Sequence, residues 1–368
     1  MDKFGFAGEK VSLSDVCTKA SSGFVQKDLE ELEGEYPVYG ASGYIKSINQ
    51  YHQEKEYIAV VKDGAGIGRT MILPAKSSII GTMQYLLPKE NILPRYLYYA
   101  VKNMHLEKYY TGATIPHIYF KDYQKEKFNL PDIYKQNEVV EVLEIIEKIT
   151  EKRNAQLNDL DTLIKARFVE MFGDPRFNEY NFEKKMLRDT CKVVTGNTPS
   201  RAVDEYYGDY IEWIKTDNIV SGQLTPTMAS ESLSEEGMQV GRTVDENAIL
   251  MACIAGSVAS IGRVCVTDRK VAFNQQINAI VPQEYNTLFL YTLLQISKDY
   301  LVEEINMALK GILSKSRLEE KTFIVPPMEV QDEFADFVTQ VDKLKVAVQE
   351  SLDELQTLFD SLMQQYFG

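Results

Sequence analysis

The sequence is poor in the residues on which most catalytic and metal sites depend. Its 368 residues include three histidines, four cysteines and one tryptophan. Cys17, Cys191, Cys253 and Cys265 are far apart, so the Cys-x2-Cys pairs of zinc ribbons and the dense cysteines of disulfide-rich secreted scaffolds are absent. No histidine occurs from Asn181 onward, so a catalytic histidine present in both halves of the chain is excluded.

Long apolar runs and a surplus of positive charge are also missing. The longest uncharged stretch, residues 247–262, is interrupted by glycine and is too short to span a membrane. The start, MDKFGFAGEK, has no apolar segment typical of a signal peptide, so we expect a cytoplasmic protein. The net charge is −14, with −4 in residues 131–180 and −7 in residues 327–368, whereas residues 1–130 carry +1. The long near-neutral segments can still carry a basic face.

The chain contains an internal repeat. The tripeptide Ile-Gly-Arg occurs at 67–69 and again at 261–263, and LSDVC at 13–17 matches LRDTC at 187–191. The Ile-Gly-Arg offset of 194 residues also pairs Pro88 with Pro282, Ile118 with Ile312 and Lys121 with Lys315. One residue is then gained, and an offset of 195 pairs Gln136 with Gln331, Leu157 with Leu352 and Gly173 with Gly368. The sequence therefore holds two copies of one unit, the second with about twenty extra residues before its Ile-Gly-Arg.

Each copy reads as a β-rich globule followed by a long helix. Short runs of β-branched and aromatic residues predict strands at 57–61, 69–73, 84–88, 248–255, 263–267 and 277–282, and helical patterns occupy 94–104 and 288–297. The resulting fold class is α+β: two pseudo-symmetric globules, each a twisted sheet with short helices, joined by two long antiparallel coiled-coil helices. The predicted boundaries are 1–131 and 176–326 for the globules, and 132–175 and 327–368 for the spacer helices.

Apolar residues at spacings of three and four predict the seam between the long helices. Prolines at 131 and 326–327 mark the helix starts. A narrow apolar stripe on so long a helix is typical of a coiled coil. The alternative, in which each helix lies on its own globule, stays open. The predicted seam residues are Leu143, Ile146, Leu157, Leu160, Ile164, Val341, Leu344, Val348, Leu352 and Leu355.

No motif in the sequence predicts catalysis. DGAGIG at 63–68 looks like a phosphate-binding loop, but a strand pattern follows it where a dinucleotide fingerprint needs a helix, so we predict a tight strand-to-strand loop. Cys17 and Cys191 are equivalent in the repeat and lie in amphipathic segments typical of buried structural thiols. The Asn/Asp-Pro-Pro-Tyr/Phe motif of amino-methyltransferases is absent, and we expect no metal or cofactor site in this chain.

The loops instead contain residue types suited to binding the bases and phosphates of a nucleic acid. Asn and Gln suit adenine edges, Arg and Lys suit guanine edges, and Ser, Thr and Lys suit phosphates. Residues of these types recur in loops at repeat-equivalent places. The predicted DNA-contacting residues are Tyr39, Ser42, Lys62, Arg69, Thr114, His117, Tyr119 and Lys121 in the first copy, and Asn197, Thr198, Ser200, Arg201, Lys215, Asn218, Arg263, Asn274, Gln275, Gln276, Lys310, Ser314, Lys315 and Arg317 in the second.

With these residues in view, the chain resembles the specificity subunit of Type I restriction-modification systems over nearly its whole length. YPVYGASG, and GNTPSR with EYYGDYIEWIKTDNI, resemble two common openings of that family's target recognition domains. GATIPHI resembles a domain exit. LPDIYKQNEVV and VPPMEVQDEFA resemble starts of the spacer helices, and LxxLxxLI…MFG resembles their close.

The resemblance implies a noncatalytic DNA-binding subunit. Each globule would read one half of a bipartite site in double-stranded DNA, and the helices would set the spacer length. Two modification subunits would supply S-adenosylmethionine and adenine N6 methylation, and restriction subunits would bring ATP and Mg. We expect no membrane partner. The acidic pI near 4.9 departs from a typical DNA binder, and we expect the acid to lie on the helices.

Three other hypotheses stay open. The chain resembles equally the specificity part of a Type II-like restriction-methylation enzyme. A two-headed protein-binding adaptor would lack affinity for duplex DNA. A methyltransferase in its own right would bind S-adenosylmethionine.

Overall fold

The computed structural model describes residues 8–112, 116–254, 257, 260–303 and 311–368. The chain forms two compact units. The first unit comprises Met1–Arg153 with Ser351–Gly368, and the second unit comprises Asn154–Glu350. Each unit therefore contains one globule and a part of each long helix. The repeat predicted from the sequence can be traced separately inside the two units.

The first unit places three short helices and two 3-10 turns around two small sheets and a strand pair. The long helix that starts here, the first long helix, spans Ile133–Phe172. The strands are Glu9–Ser12, Cys17–Ser21, Tyr36–Gly40, Gly43–Ile48, Tyr57–Val61, Thr70–Leu73, Ser78–Ile79, Met83–Pro88 and Lys127–Leu130; the helices are Leu13–Val16, Pro94–Asn103 and Phe120–Tyr123, with 3-10 turns at Gln26–Leu29 and Leu106–Tyr109.

The second unit repeats this order with additional strands. The second long helix spans Met328–Phe367. The strands are Glu183–Met186, Cys191–Thr195, Tyr207–Gly208, Ile211–Ile214, Ser232–Leu233, Thr243–Val244, Ile249–Ala252, Val264–Val266, Val271–Phe273, Ile277–Pro282 and Thr322–Val325; the helices are Leu187–Thr190, Glu235–Val240, Thr287–Ile296, Lys298–Val302 and Lys315–Glu320, with 3-10 turns at Asp204–Tyr206 and Thr216–Asn218.

The four-stranded sheet has the same topology in both units. In the first unit its order is 17–21, 83–88, 57–61, 70–73, and in the second it is 191–195, 277–282, 249–252, 264–266, with every pair antiparallel. Cys17 pairs with Pro88, and Cys191 pairs with Pro282. The predicted strands of both copies are confirmed, and so is the repeat.

The extra residues of the second copy enlarge its other sheet. In the first unit this sheet has three strands, with Tyr39 and Ile79 paired in parallel. In the second unit the corresponding parallel pair joins Ile214 to Phe273 within a five-stranded sheet. Most of the added residues form the segment between Ile214 and Ile249, which includes Ser232–Leu233 and Glu235–Val240. This segment is called the insertion below.

Equivalent glutamines fix the start of each long helix. Gln136 is fully buried, and its amide donates to Pro131 O at 2.9 Å and accepts from Leu93 N at 2.9 Å. Gln331 is also fully buried, donates to Pro326 O at 2.8 Å and accepts from Asn286 N at 2.9 Å. Because a buried amide must be hydrogen-bonded, each glutamine anchors its helix to its own globule.

In both units the long helices pack on each other with opposite directions. In the first unit, Leu143 lies in a buried cluster with Met363, whereas Thr150, later on the first long helix, lines a groove with Leu355, earlier on the second. In the second unit, Phe168 stacks edge-on against Phe334 at 5.4 Å between ring centroids, while Asp161, a little earlier on its helix, pairs with Lys345, later on the other. The antiparallel arrangement is thus present in each unit. The same helices also pack on the globules, so the alternative of helices lying on their own globules is correct for part of their length.

Nine of the ten predicted seam residues are at least partly buried, as a seam requires. Leu143, Ile146, Val341 and Val348 are buried, and Leu157, Leu160, Ile164, Leu352 and Leu355 are partly buried. Leu344 is 56% exposed and lies outside the seam. The apolar spacing predicted that Leu344 belongs to the seam, but the side chain of its neighbour Lys345 turns inward instead. Lys345 donates to Asp161 Oδ1 and to Gly222 O, both at 2.8 Å. Among the helices in the described ranges, none has both the length and the apolar character of a membrane span.

Candidate nucleic-acid interface

The glycine loop of the first unit connects two antiparallel strands, as predicted. It runs from the end of Tyr57–Val61 to the start of Thr70–Leu73. Gly64 and Gly68 have φ of 87° and 81°, a left-handed conformation that favours glycine. Gly64 N–H donates to Pro116 O at 3.0 Å, which ties the loop to the segment before His117. The glycines therefore serve chain geometry.

Three segments of the first unit meet at this loop. The Arg69 guanidinium donates to Ala41 O at 2.9 Å, in the turn that carries Ser42. His117 Nδ1 lies 2.6 Å from Asp63 Oδ1. Because the hairpin turn, the glycine loop and residues 116–121 come together, the structure brings predicted residues from all three segments to one place. This group is called the first cluster and comprises Ser42, Lys62, Asp63, Arg69, His117, Tyr119 and Lys121.

The exposed edge of the first cluster is aromatic and cationic. Tyr119 is half exposed, and its ring stacks beside His117 at 6.4 Å between centroids. Lys121 places its ammonium 5.4 Å from the Tyr119 ring centroid. Lys62 lies 3.5 Å from Asp63 and is partly buried. Tyr39 is partly buried within the sheet core, and burial raises the pKa of its phenol.

The second unit gathers cations around a carboxylate. Glu231 accepts from Arg201 Nη2 at 2.6 Å and from Lys215 Nζ at 2.5 Å. These hydrogen bonds, the Lys215 bond first, hold the pKa of Glu231 below its usual range. Arg201 lies over the rings of Tyr207 and Trp213, at 4.4 and 5.1 Å from their centroids. This group is called the second cluster.

Neighbouring loops complete the second cluster. Thr198 donates to the Gln275 side chain, and Asn197 N–H donates to Phe273 O at 3.1 Å, so the loops 197–201 and 273–276 adjoin. The Asn197 amide bonds the insertion at Val240 O and at the backbone N–H of Arg242. Thr198 and Gln275 are exposed beside the cluster.

Two predicted DNA contacts are wrong in this structure. Asn218 is buried, and its amide accepts from Lys215 N–H and donates to Thr227 and to Met228 O. Asn274 is buried. Its amide nitrogen donates to Gln276 Oε1, and its amide oxygen accepts from the backbone N–H of Gln276, both at 3.1 Å. Because all their polar atoms hold loops in shape, neither side chain is free to meet a base. A sequence pattern cannot separate such amides from base-reading ones.

Most of the remaining predicted residues lie at several places on the second unit. Arg263 is partly buried and donates to Thr216 O at 3.1 Å. Ser314 caps the helix Lys315–Glu320 by accepting from Arg317 N–H, and Ser200 accepts from Ala202 N–H. Gln276 is partly buried, and Lys315 and Arg317 are exposed. Thr114 and Lys310 lie outside the described residues.

The four cysteines are structural. All are buried, and burial raises the pKa of each of Cys17, Cys191, Cys253 and Cys265 to about 12. Thiols with so high a pKa are poor nucleophiles near neutral pH. This agrees with the prediction for Cys17 and Cys191.

Sequence reasoning missed the second cluster's acidic and aromatic members. Glu231 lies in the insertion and has no partner in the repeat, so the comparison of copies could not find it. Tyr207 and Trp213 lie on two short strands, Tyr207–Gly208 and Ile211–Ile214, which both pair with Ser232–Leu233 of the insertion. The available signal was the isolated tryptophan, the single one in the chain, between Glu212 and Lys215.

Comparison of the sequence with known protein families identifies the family of this chain. A sequence model described as "Type I restriction modification DNA specificity domain" matches residues 8–159 and 179–356. The chain belongs to this family. Both matched domains include one of the two clusters, and members of the family carry DNA specificity. The chain is accordingly a noncatalytic DNA-recognition component of a Type I restriction-modification system, as the resemblance implied.

Individual relatives agree with this placement. The specificity subunit of the enzyme HindI from Haemophilus influenzae is 29% identical over 40% of this chain and 33% of that protein. The MjaVIII specificity subunit from Methanocaldococcus jannaschii is 23% identical over 86% of this chain and 81% of that protein. The MjaIX subunit of the same organism is 23% identical over 76% and 69%.

Solved structures show the same fold. The S subunit from M. genitalium aligns with a TM-score of 0.61 at 14% identity, covering 100% of this chain and 97% of that one. A chain from a structure on complex assembly and conformational transition of the type I R-M system aligns with a TM-score of 0.56 at 14% identity, covering 98% and 97%.

Proposed function

We propose that each unit reads one half of a bipartite site in double-stranded DNA and that the long helices set the spacer between the halves. The supporting observation is that each matched domain gathers cations and aromatic rings from separate segments into one cluster, which in the second unit is joined by the amides of Asn197 and Gln275. Such mixtures combine phosphate contacts, which position the protein on the duplex, with base-edge contacts, which read the DNA sequence.

The catalysts in this proposal are partner subunits. Two modification subunits would bind the chain, hold S-adenosylmethionine and methylate adenine N6. Restriction subunits would add ATP- and Mg-dependent cleavage. This chain would supply only the recognition of the DNA sequence. The assembled type I R-M system named for one structural neighbour supports partners of this kind.

The acidic pI is compatible with DNA binding on this proposal. Residues 131–180 and 327–368, which contain the long helices, carry most of the net negative charge, at −4 and −7 of the total −14, whereas residues 1–130 carry +1. Phosphate contacts would come from the clusters, and modification subunits would complete a positive channel.

A binding experiment tests the proposal. The chain purified with its neighbouring modification subunit is titrated against short duplexes of random sequence at several salt concentrations. We expect measurable affinity with a steep salt dependence, because phosphate contacts release counterions. A complex without affinity for duplex DNA would instead support the protein-binding adaptor. S-adenosylmethionine binding by the isolated chain would support a methyltransferase.

A further inference from the structure

The second cluster presents a donor and an acceptor side by side. The Arg201 side chain is 55% exposed, yet one of its nitrogens is held by Glu231 Oε2 at 2.6 Å. Arginine has five N–H donors and each carboxylate oxygen has two lone-pair sites, so both side chains keep hydrogen-bonding capacity after pairing. The pair therefore offers an N–H fork next to a free carboxylate lone pair.

The loop that carries Arg201 is held in place by the rings beneath it. Tyr207 OH donates to Pro199 O at 2.7 Å, and Trp213 Nε1 donates to Asn197 O at 3.3 Å. The same two rings support the guanidinium by cation–π contact. A planar fork fixed before binding loses little conformational freedom when it meets its ligand.

Lys215 fixes the carboxylate. Its ammonium bonds Glu231 Oε1 at 2.5 Å and lies 5.1 Å from the Trp213 ring centroid. The backbone N–H of Trp213 also donates to Glu231 O at 3.1 Å. This bond holds Glu231 beside the strand Ile211–Ile214. Lys215 is thus a positioning residue for Glu231.

The charges of this arrangement favour a base edge over a phosphate. A phosphate bound by Arg201 would lie next to the ionised Glu231 and be repelled by it. A G·C pair has the complementary pattern in the major groove: guanine O6 and N7 accept, and cytosine N4 donates. Arginine is the usual partner of guanine, and a carboxylate accepts from cytosine N4.

We propose that Arg201 and Glu231 together read one G·C base pair in the half-site bound by the second unit. Arg201 donates to guanine O6 and N7, and Glu231 accepts from the N4 amino group of cytosine. This inference rests on the proposed function and adds to it a named base pair and the residues that read it.

The test compares wild type with Arg201→Lys, in complex with the modification subunit. Lysine keeps the charge and a phosphate contact but loses the planar fork. Duplexes carrying the methylated site have each guanine replaced in turn by 7-deazaguanine, which lacks the N7 acceptor. We expect one guanine, in one half of the site, whose replacement weakens wild-type binding about fivefold or more, with little further loss in Arg201→Lys. Genome-wide mapping should show that Arg201→Lys relaxes the same base pair and leaves the other half intact.

Arg176→Lys is the matched control. Arg176 lies in the same unit, is exposed, pairs with Asp174 at 3.0 Å and lies 5.6 Å from the Phe177 ring centroid, outside the second cluster. It should leave the motif and the 7-deazaguanine effect unchanged.

Separate outcomes overturn the inference and the proposed function. If Arg201→Lys weakens binding while the motif stays unchanged, the contact is to phosphate and the inference is wrong. If no 7-deazaguanine replacement weakens binding by the wild-type complex, the inference is wrong whether or not Arg201→Lys folds. A wild-type complex without any sequence preference would refute the proposed function itself.

Discussion

Single cations of the two clusters are held in different ways. Arg201 and Lys215 share the carboxylate of Glu231, whereas Lys121 lies over the ring of Tyr119 and is exposed. Its repeat partner Lys315 is exposed and lies 3.5 Å from Glu319. Both ammonium groups are therefore exposed to a phosphate, which at Lys315 would compete with Glu319.

Replacing Lys121 or Lys315 with Ala should weaken DNA binding of the assembled complex. We expect the salt slope of the binding constant to fall by about one for each variant, because one phosphate contact is lost. Thermal unfolding should not change, since both side chains are exposed. Lys148→Ala, on the first long helix and paired at 3.7 Å with Glu144, is the control. An unchanged slope would remove these lysines from the interface.

Asn218 is expected to act on stability. Replacing it with Ala leaves the N–H of Lys215, the Thr227 hydroxyl and Met228 O without their partner. The free energy of unfolding should fall by about 1–3 kcal/mol, the cost of buried groups left unpaired. Chemical denaturation measures it, and Gln275→Ala, at an exposed position of the same unit, should change it by less than about 0.5 kcal/mol. Equal stability of the two variants would contradict the assignment.

The cysteines provide a test that depends on pH. Burial raises their pKa from about 9 to about 12, so the folded chain holds these protons more tightly than the unfolded chain does. Their contribution to stability is present below pH 9 and is lost as the pH rises from 9 towards 12. Alkylation by iodoacetamide at pH 8 should be slow in the native chain and rapid in denaturant. Rapid native labelling of any of the four would show that its burial is wrong.

At the scale of elements, the sequence predicted what depends on local patterns. The run YIAVV gave the strand Tyr57–Val61, and INAIVP gave Ile277–Pro282, because β-branched residues bounded by turn residues leave little alternative. The long helices also start and end within a few residues of the predicted boundaries. Leu344 shows the limit of such patterns: apolar spacing indicates a stripe, but which residue at its edge turns inward depends on contacts such as that of Lys345 with Gly222 O.

The candidate site was less predictable than the fold. Arg201, Lys215 and Thr198 were found because their residue types suit nucleic acid. Asn218 and Asn274 were misassigned because an amide that binds DNA and one that closes a turn look alike in sequence. Glu231 was missed because it becomes part of the cluster only when the insertion folds beside the loop 197–201.

The helix seam can be tested by a pair of variants. Leu143 is fully buried in the cluster that contains Met363, so Leu143→Asp places a charge among apolar side chains. We expect the free energy of unfolding to fall by about 3 kcal/mol or more, measured by denaturation. Leu344→Asp, on an exposed leucine, should cost much less. Similar losses in both variants would mean that the seam is assigned wrongly.

For the whole molecule, the repeat connects structure with recognition. Both units contain the same four-stranded sheet and the same glutamine anchor at the helix start, while their second sheets and loops differ. Shared frames with different loops are what two readers of different half-sites require. The insertion, which supplies Glu231 to the second cluster, makes the two units different in the place where sequence would be read.

On the proposed function, this chain directs a modification complex to a bipartite DNA site. Single-molecule mapping of methylated bases across the genome of a host that expresses the chain with its neighbouring modification gene tests it most directly. We predict a split motif with N6-methyladenine in both halves, which disappears when the gene for this chain is deleted. A continuous motif, or methylation that persists without this chain, would contradict this role.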